Sequence, residues 1–263
     1  MTTPYRVTLP RVIRSEWTKL RSLRSTVWSL ALAVLLLLLL SLLIPLAVVA
    51  QLSQMKAGDL ARLEAVGPSL AGSLFAQLAI GVLGVLLISG EYSTGMIRAT
   101  LAAVPRRLPA LWAKAIVFAA TVLVLMTASC LGAFFIGQSV FASKDFESGF
   151  SDPGVARAVL GTAFYITSVG LLGMALGALL RHTAGALAAL FGMLLVLPIV
   201  FGLLPQSYGG SLAKYLPIHA GEAFASVRGT PEALSPLTGL LVVCLYWVIG
   251  LALAAFLLKK RDA

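Results

Sequence analysis

Residues 28–50 read WSLALAVLLLLLLSLLIPLAVVA and lie within a longer charge-free window, 25–55. A hydrocarbon core about 30 Å thick needs about 20 apolar residues of helix to cross it, so this stretch is long enough to span. Working outward, five more charge-free windows follow at 65–90, 115–143, 158–180, 182–213 and 233–258. All are rich in Leu, Ala and Val and lack the strict alternation of barrel strands. Each is therefore read as a helix, which satisfies its own backbone hydrogen bonds in lipid. The expected fold is all-α, a polytopic membrane helix bundle forming one domain, 1–263. Its six transmembrane helices are expected near 27–50, 69–90, 115–141, 158–180, 184–205 and 237–258.

Composition agrees: 59% of the 263 residues are hydrophobic and 11% charged, against roughly 45–50% and 25% in soluble domains. The formal charge of +10 could suit nucleic acid or a membrane surface, so the positions of the charges decide. With the amino terminus inside, the inner segments hold 14 of the 20 bases, and the outer loops hold six bases beside seven acids. That is the positive-inside pattern, so both termini are expected to be cytoplasmic. A basic stretch before an apolar run ending in Val48, Val49 and Ala50 resembles a secretion signal. The run, however, exceeds the roughly 7–15 residues of a signal core, and five spans follow, so the first span is expected to remain. Cys130 and Cys244 lie inside spans and define no disulfide framework.

Before the first span, Pro10 suits the first turn of a helix, and Ile13, Trp17 and Leu20 recur at helical spacing beside Arg14 and Arg21. Residues 11–24 are expected to form an interfacial helix, with Trp17 at headgroup depth and the arginines on anionic lipid. Glu16 falls within the apolar arc and must either pair, for instance with Lys19, or face protein. After the second span, residues 96–104 have the phase of a short helix ended by Pro105, with Ile97, Leu101 and Val104 along one stripe. That stripe needs burial against the bundle, a partner groove or the membrane surface. Glu91, a carboxylate at a span end, calls for a partner of its own.

Residues 14–22 (RSEWTKLRS), 90–98 (GEYSTGMIR) and 101–107 (LAAVPRR) resemble the permease subunit of type-2 ATP-binding-cassette transporters, especially actinobacterial members, and the likeness runs along essentially the whole chain. The resemblance implies a half-transporter that pairs with a second copy or a similar permease and is driven by a separate cytoplasmic ATPase. It further implies a coupling loop over 91–107 in which Glu91, Tyr92, Thr94, Met96, Ile97, Arg98, Leu101 and Val104 meet that ATPase. The chain has no Gly-Lys pair and hence no phosphate-cradling loop. No cofactor is expected on this chain, and ATP and Mg2+ are expected on the partner.

No Asp, Glu, Lys or Arg interrupts the six windows, which argues against an ion-coupled carrier. His182 and His219 lie in loops, so the spans offer no catalytic constellation, and the chain is not expected to be an enzyme. Ser73, Gln77, Gln138 and Tyr165 are the candidates for a substrate path, alongside Thr162, Thr167 and Ser168. For such groups, hydrogen bonding across helices is the default role. Gly173 and Gly177 form a small-x-x-x-small pair suited to close helix approach. Pro45, Pro198 and Pro205 are positions where spans one and five can bend or end. The outer loop 206–236 is long and partly apolar, and is read as two short re-entrant helices, a gate or a cap. Residues 51–64 read as solvated.

The expected function is the permease subunit of an ATP-driven exporter in the bacterial plasma membrane. It would move an amphipathic compound or lipid, since free ions are costly to desolvate. The expected partners are the ATPase, the second permease and membrane lipids, with no nucleic acid. The alternatives are a non-transporting anchor or regulatory subunit coupled to an ATPase, and an intramembrane enzyme.

Overall fold

The computed structural model describes residues 8–52, 64–93, 95, 107–204, 209–229 and 232–260. Their regular structure is helical throughout. In chain order the helices are α1 (Leu9–Ser22), α2 (Arg24–Gln51), α3 (Val66–Ser69), α4 (Ser73–Ser93), α5 (Arg107–Phe141) and α6 (Val155–Leu180). They continue with α7 (Thr183–Phe191), α8 (Leu197–Leu203), α9 (Gly209–Ala213), α10 (Pro217–Ala225) and α11 (Pro236–Lys260). Six helical stretches are long and apolar enough to cross a membrane: α2, α4, α5, α6, α7 with α8, and α11. The chain is a multi-pass membrane protein.

Several boundaries differ from those read in the sequence, each for a local reason. α1 starts at Leu9 and stops at Ser22. Leu23 is extended (ψ 114), so Arg24 opens α2. The second span starts at Ser73 because α3 and a turn precede it. A Cβ on Gly72 in that turn would lie 2.6 Å from the Leu37 carbonyl oxygen of α2, so only glycine lets the turn pass. The third span starts at Arg107 and runs 35 residues, about 52 Å at about 1.5 Å per residue. Its first eight residues include Arg107 and Lys114, which a search for charge-free windows excludes. α2 continues through Pro45 without ending. In the fifth span a π-helical turn, Gly192–Val196, joins α7 to α8. The wide turn lies just before Pro198, whose ring would crowd the carbonyl of Leu194 in a regular helix.

α6 is the centre of the bundle: 78% of its most apolar window is buried, against 17% for α11. It packs against α4, α5, α7, α10 and α11. α4 and α6 run parallel, and their backbones touch through glycines. A Cβ on Gly84 would overlap the carbonyl of Gly170, one on Gly173 the carbonyl of Gly81, and one on Gly177 would lie 2.9 Å from the Val85 carbonyl oxygen. The Gly173 and Gly177 pair thus does what its spacing predicts, and Gly81, Gly84 and Gly170 complete the seam. The polar residues of α6 behave otherwise than expected. Thr162, Thr167 and Ser168 donate to the carbonyls of Ala158, Ala163 and Phe164 in their own helix, a local bond that needs no neighbour.

Candidate functional site: a buried charge quartet and the polar groups behind it

At one end of the bundle α1 lies across the start of α5 and α2. Its bundle-facing stripe is Val12, Glu16 and Leu20, all buried, with Ile13 partly buried beside them. Trp17 and Arg21 turn outward. Trp17, expected at headgroup depth, is on the outward side, and Glu16 takes the position facing protein. It does so because two lysines meet it there.

Lys114 on α5 places Nζ 3.1 Å from Glu16 Oε2 and 2.7 Å from Glu91 Oε1. Lys19 places its own Nζ 2.8 Å from Glu16 Oε1 and 3.6 Å from Glu91 Oε1. The Lys114 ammonium also donates to the Leu87 carbonyl at 3.3 Å, using donors the carboxylates leave over. Glu16, Glu91 and Lys114 are only 5%, 7% and 8% exposed. Charges taken this far from water survive only when paired and hydrogen-bonded, and here two anions and two cations cancel. Burial works against the Lys19 ammonium, but Glu16 and then Glu91 outweigh it and hold its pKa above the ordinary 10.5. A cation whose pKa is raised on folding stabilises fully below its unfolded value and loses that contribution as pH climbs through the folded one. The Lys19 contribution therefore persists through neutral pH and fades only above 10.5.

The same end is tied further. The Arg181 guanidinium stands 5.1 Å over the Tyr92 ring, and Thr183 Oγ1 donates to Ser89 Oγ at 3.0 Å. His182 caps α7, its Nδ1 accepting from the Gly185 amide at 3.1 Å. The turn between α6 and α7 is thus fastened to the last turns of α4. Of the residues expected in the coupling loop, Glu91 and Tyr92 are in this joint. Thr94, Met96, Ile97, Arg98, Leu101 and Val104 lie outside the described residues. Lys114 is the residue of this joint that sequence reading missed. Its signal was arithmetic, since Glu16 and Glu91 both called for a cation and Lys114 lies next to the third window.

The path candidates divide. Ser73 opens α4 and is half-buried. Gln138 is engaged through both amide atoms, donating to Ser69 Oγ at 3.1 Å and accepting from the Ser148 amide at 2.8 Å, so it joins the α3 and 142–149 segments. Gln77 Oε1 and the Tyr165 hydroxyl are buried without a hydrogen-bond partner among the described residues. A buried orphan of this kind costs about 1–3 kcal/mol, so these atoms have spare capacity for a polar visitor, as do Thr26 Oγ1 in α2 and Trp247 Nε1 in α11. Tyr165 also packs its ring against the backbone of Gly221 in α10. Tyr165, Val169 and Leu194 share one buried cluster with Ala220 and Phe224 of α10.

At the opposite end, residues 224–228 are clamped from two sides. Arg157 donates to the carbonyls of Phe224 (2.8 Å) and Val227 (3.3 Å). The Glu64 carboxylate accepts the amides of Val227 and Arg228 and faces the Arg228 charge. Burial nevertheless pushes the Glu64 carboxyl above its usual range. Glu64 is therefore not a solvated loop acid, and its clamp borders a cleft of about 710 Å³ lined also by Asp145, Glu147 and Asp152. α9 and α10 are the two short helices expected in 206–236. Arg157→Ala is expected to release the 224–228 segment. Hydrogen exchange of amides 220–228 should speed up about fivefold, the effect of about 1 kcal/mol, with the melting temperature of the bundle little changed.

No family model matches the chain. No curated protein is found to be similar to it either. Among the described residues no group of three or more His, Cys, Asp or Glu is placed to hold a metal ion.

Proposed function

We propose that the chain is the permease subunit of an ATP-driven exporter in the bacterial plasma membrane. It works as a dimer or beside a similar permease, with ATP and Mg2+ handled by a separate cytoplasmic ATPase. The observation that carries this reading is the buried quartet. It joins α1, the last turn of α4 and the first turns of α5, the two helices that flank residues 94–106 in the chain. A segment that docks a motor protein can move the spans only if its two ends are held rigidly, and packed, fully paired charges provide such a hold. On this reading the α1 end is cytoplasmic, residues 91–107 dock on the ATPase, and Ile97, Leu101 and Val104 fill its groove.

The cargo class is an amphipathic compound or a lipid. Supporting it are the charge-free windows and orphaned polar atoms such as those of Gln77 and Tyr165, which suit a mostly apolar molecule with a few hydrogen-bonding groups. α9 and α10 would then close the outer end of the path.

The test is purification of the tagged chain with whatever ATPase accompanies it, followed by ATP turnover and substrate movement in vesicles. Leu101→Asp places a charge in the proposed docking stripe. It is expected to lower ATPase recovery and coupled transport at least tenfold. Normal assembly and coupling in that variant would overturn the docking assignment. Undiminished ATP turnover without any transported substrate would instead mark the chain as a membrane anchor.

A further inference from the structure

The charge balance of the α1 end is incomplete among the described residues. Among the described residues of α1, the end of α4 and the start of α5, only Glu16 and Glu91 are acidic. Glu16 and Glu91 are occupied by Lys19 and Lys114. That leaves Arg14, Arg21, Arg24, Lys259 and Lys260 without an acidic counterpart among the described residues. The quartet also fixes where α1 points. With Val12, Glu16 and Leu20 on the bundle, Arg14 and Arg21 fall on the opposite side of a helix with 3.6 residues per turn. Arg24 follows at the start of α2, and all three are exposed. No acidic side chain pairs with them among the described residues.

Three tryptophans stand at the same end. Trp17 on α1, Trp28 one turn into α2 and Trp112 near the start of α5 are 46%, 74% and 40% exposed. Indoles gather at the headgroup level of a bilayer. Their shared position therefore puts the arginine face of α1 at phosphate depth rather than out in the aqueous phase.

We infer that the outward face of α1 and the first turn of α2 form a binding surface for anionic phospholipid, engaged through Arg14, Arg21 and Arg24. The guanidinium matches a phosphodiester in charge and in donor geometry, and the neighbouring indoles cover the glycerol region. By holding α1 from outside, the lipid also presses Glu16 into the quartet. The inference stands apart from the transport reading, because it needs no ATPase and no cargo.

The test uses the detergent-purified full chain, titrated with phosphatidylglycerol or phosphatidylcholine and followed by native mass spectrometry and thermal melting. Phosphatidylglycerol is expected to stay bound and raise the melting temperature, while phosphatidylcholine at the same mole fraction does neither. At about fivefold per charge near a bilayer surface, Arg14→Gln, Arg21→Gln and Arg24→Gln together should weaken the titration on the order of a hundredfold. Lys144→Gln, at the other end, should leave it unchanged. An equal response to the two lipids, or an unaltered response in the triple variant, overturns the inference. So does a triple variant that keeps its lipid response but loses a co-purifying acidic protein, since the face would then belong to that protein. Should the triple variant fail to fold, two measurements decide instead. The wild-type phosphatidylglycerol response should collapse in 1 M salt, and Arg21→Gln alone should weaken it about fivefold. Persistence of both overturns the inference equally.

Discussion

Lys114→Met should destabilise the bundle by about 3–5 kcal/mol, the cost of removing one partner from a buried ion pair, and lower the melting temperature of the purified chain accordingly. Lys114 is the cation closest to Glu91, at 2.7 Å, and it also reaches Glu16 at 3.1 Å. Without it two buried carboxylates face each other with Lys19 as their only remaining partner in the quartet. One of them must then take up a proton or draw in water, and either change loosens α1 from α5. The charge is at issue rather than the volume, since methionine fills nearly the same space. Adding Glu91→Gln to the variant removes the uncompensated anion and should recover a substantial part of the loss. No recovery in the double variant would mean that the lysine acts by packing, and that the quartet is not electrostatically coupled.

Gly84→Leu is the second large effect. The Cβ it introduces would overlap the Gly170 carbonyl oxygen and lie 3.1 Å from the Met174 amide nitrogen. Both obstacles are backbone of α6, which cannot swing aside as a flexible side chain would. Overpacking a core costs about 1–3 kcal/mol where side chains can give way, so the loss here should reach or exceed the top of that range. The parallel α4 and α6 pair would part along the seam that also contains Gly173 and Gly177. Gly202→Ala, on α8, is the matching control. Nothing lies within 4 Å of its added Cβ, and the better helix propensity of alanine should leave stability equal or slightly higher. Equal melting temperatures for Gly84→Leu and the wild type would show that the two helices do not touch there.

The contrast between these two sites shows what the sequence can and cannot reveal. Glycines spaced four apart in an apolar run announce a close approach, so Gly173 and Gly177 are legible, although their partners Gly81 and Val85 on α4 are not. Six spans were legible because lipid forbids uncompensated charge, and gaps in the charge pattern therefore mark helices. The same rule hid the start of α5. Arg107 and Lys114 look like loop residues until one knows that Glu91 and Glu16 compensate Lys114. The clamp of Glu64 and Arg157 on residues 224–228 was also hidden. Its bonds are to backbone atoms about 70 or more positions away, and no side-chain pattern in the loop records them.

The quartet sums to zero, with two carboxylates and two ammoniums held as one body. A single charge crossing the full bilayer field exchanges about 2.3 kcal/mol with each 100 mV of potential. A body without net charge exchanges nothing, however far it travels. The six windows between the charged ends likewise contribute no Asp, Glu, Lys or Arg. Movement of the quartet is therefore electrically silent, and among the described residues at this end the field acts only through the bases around it.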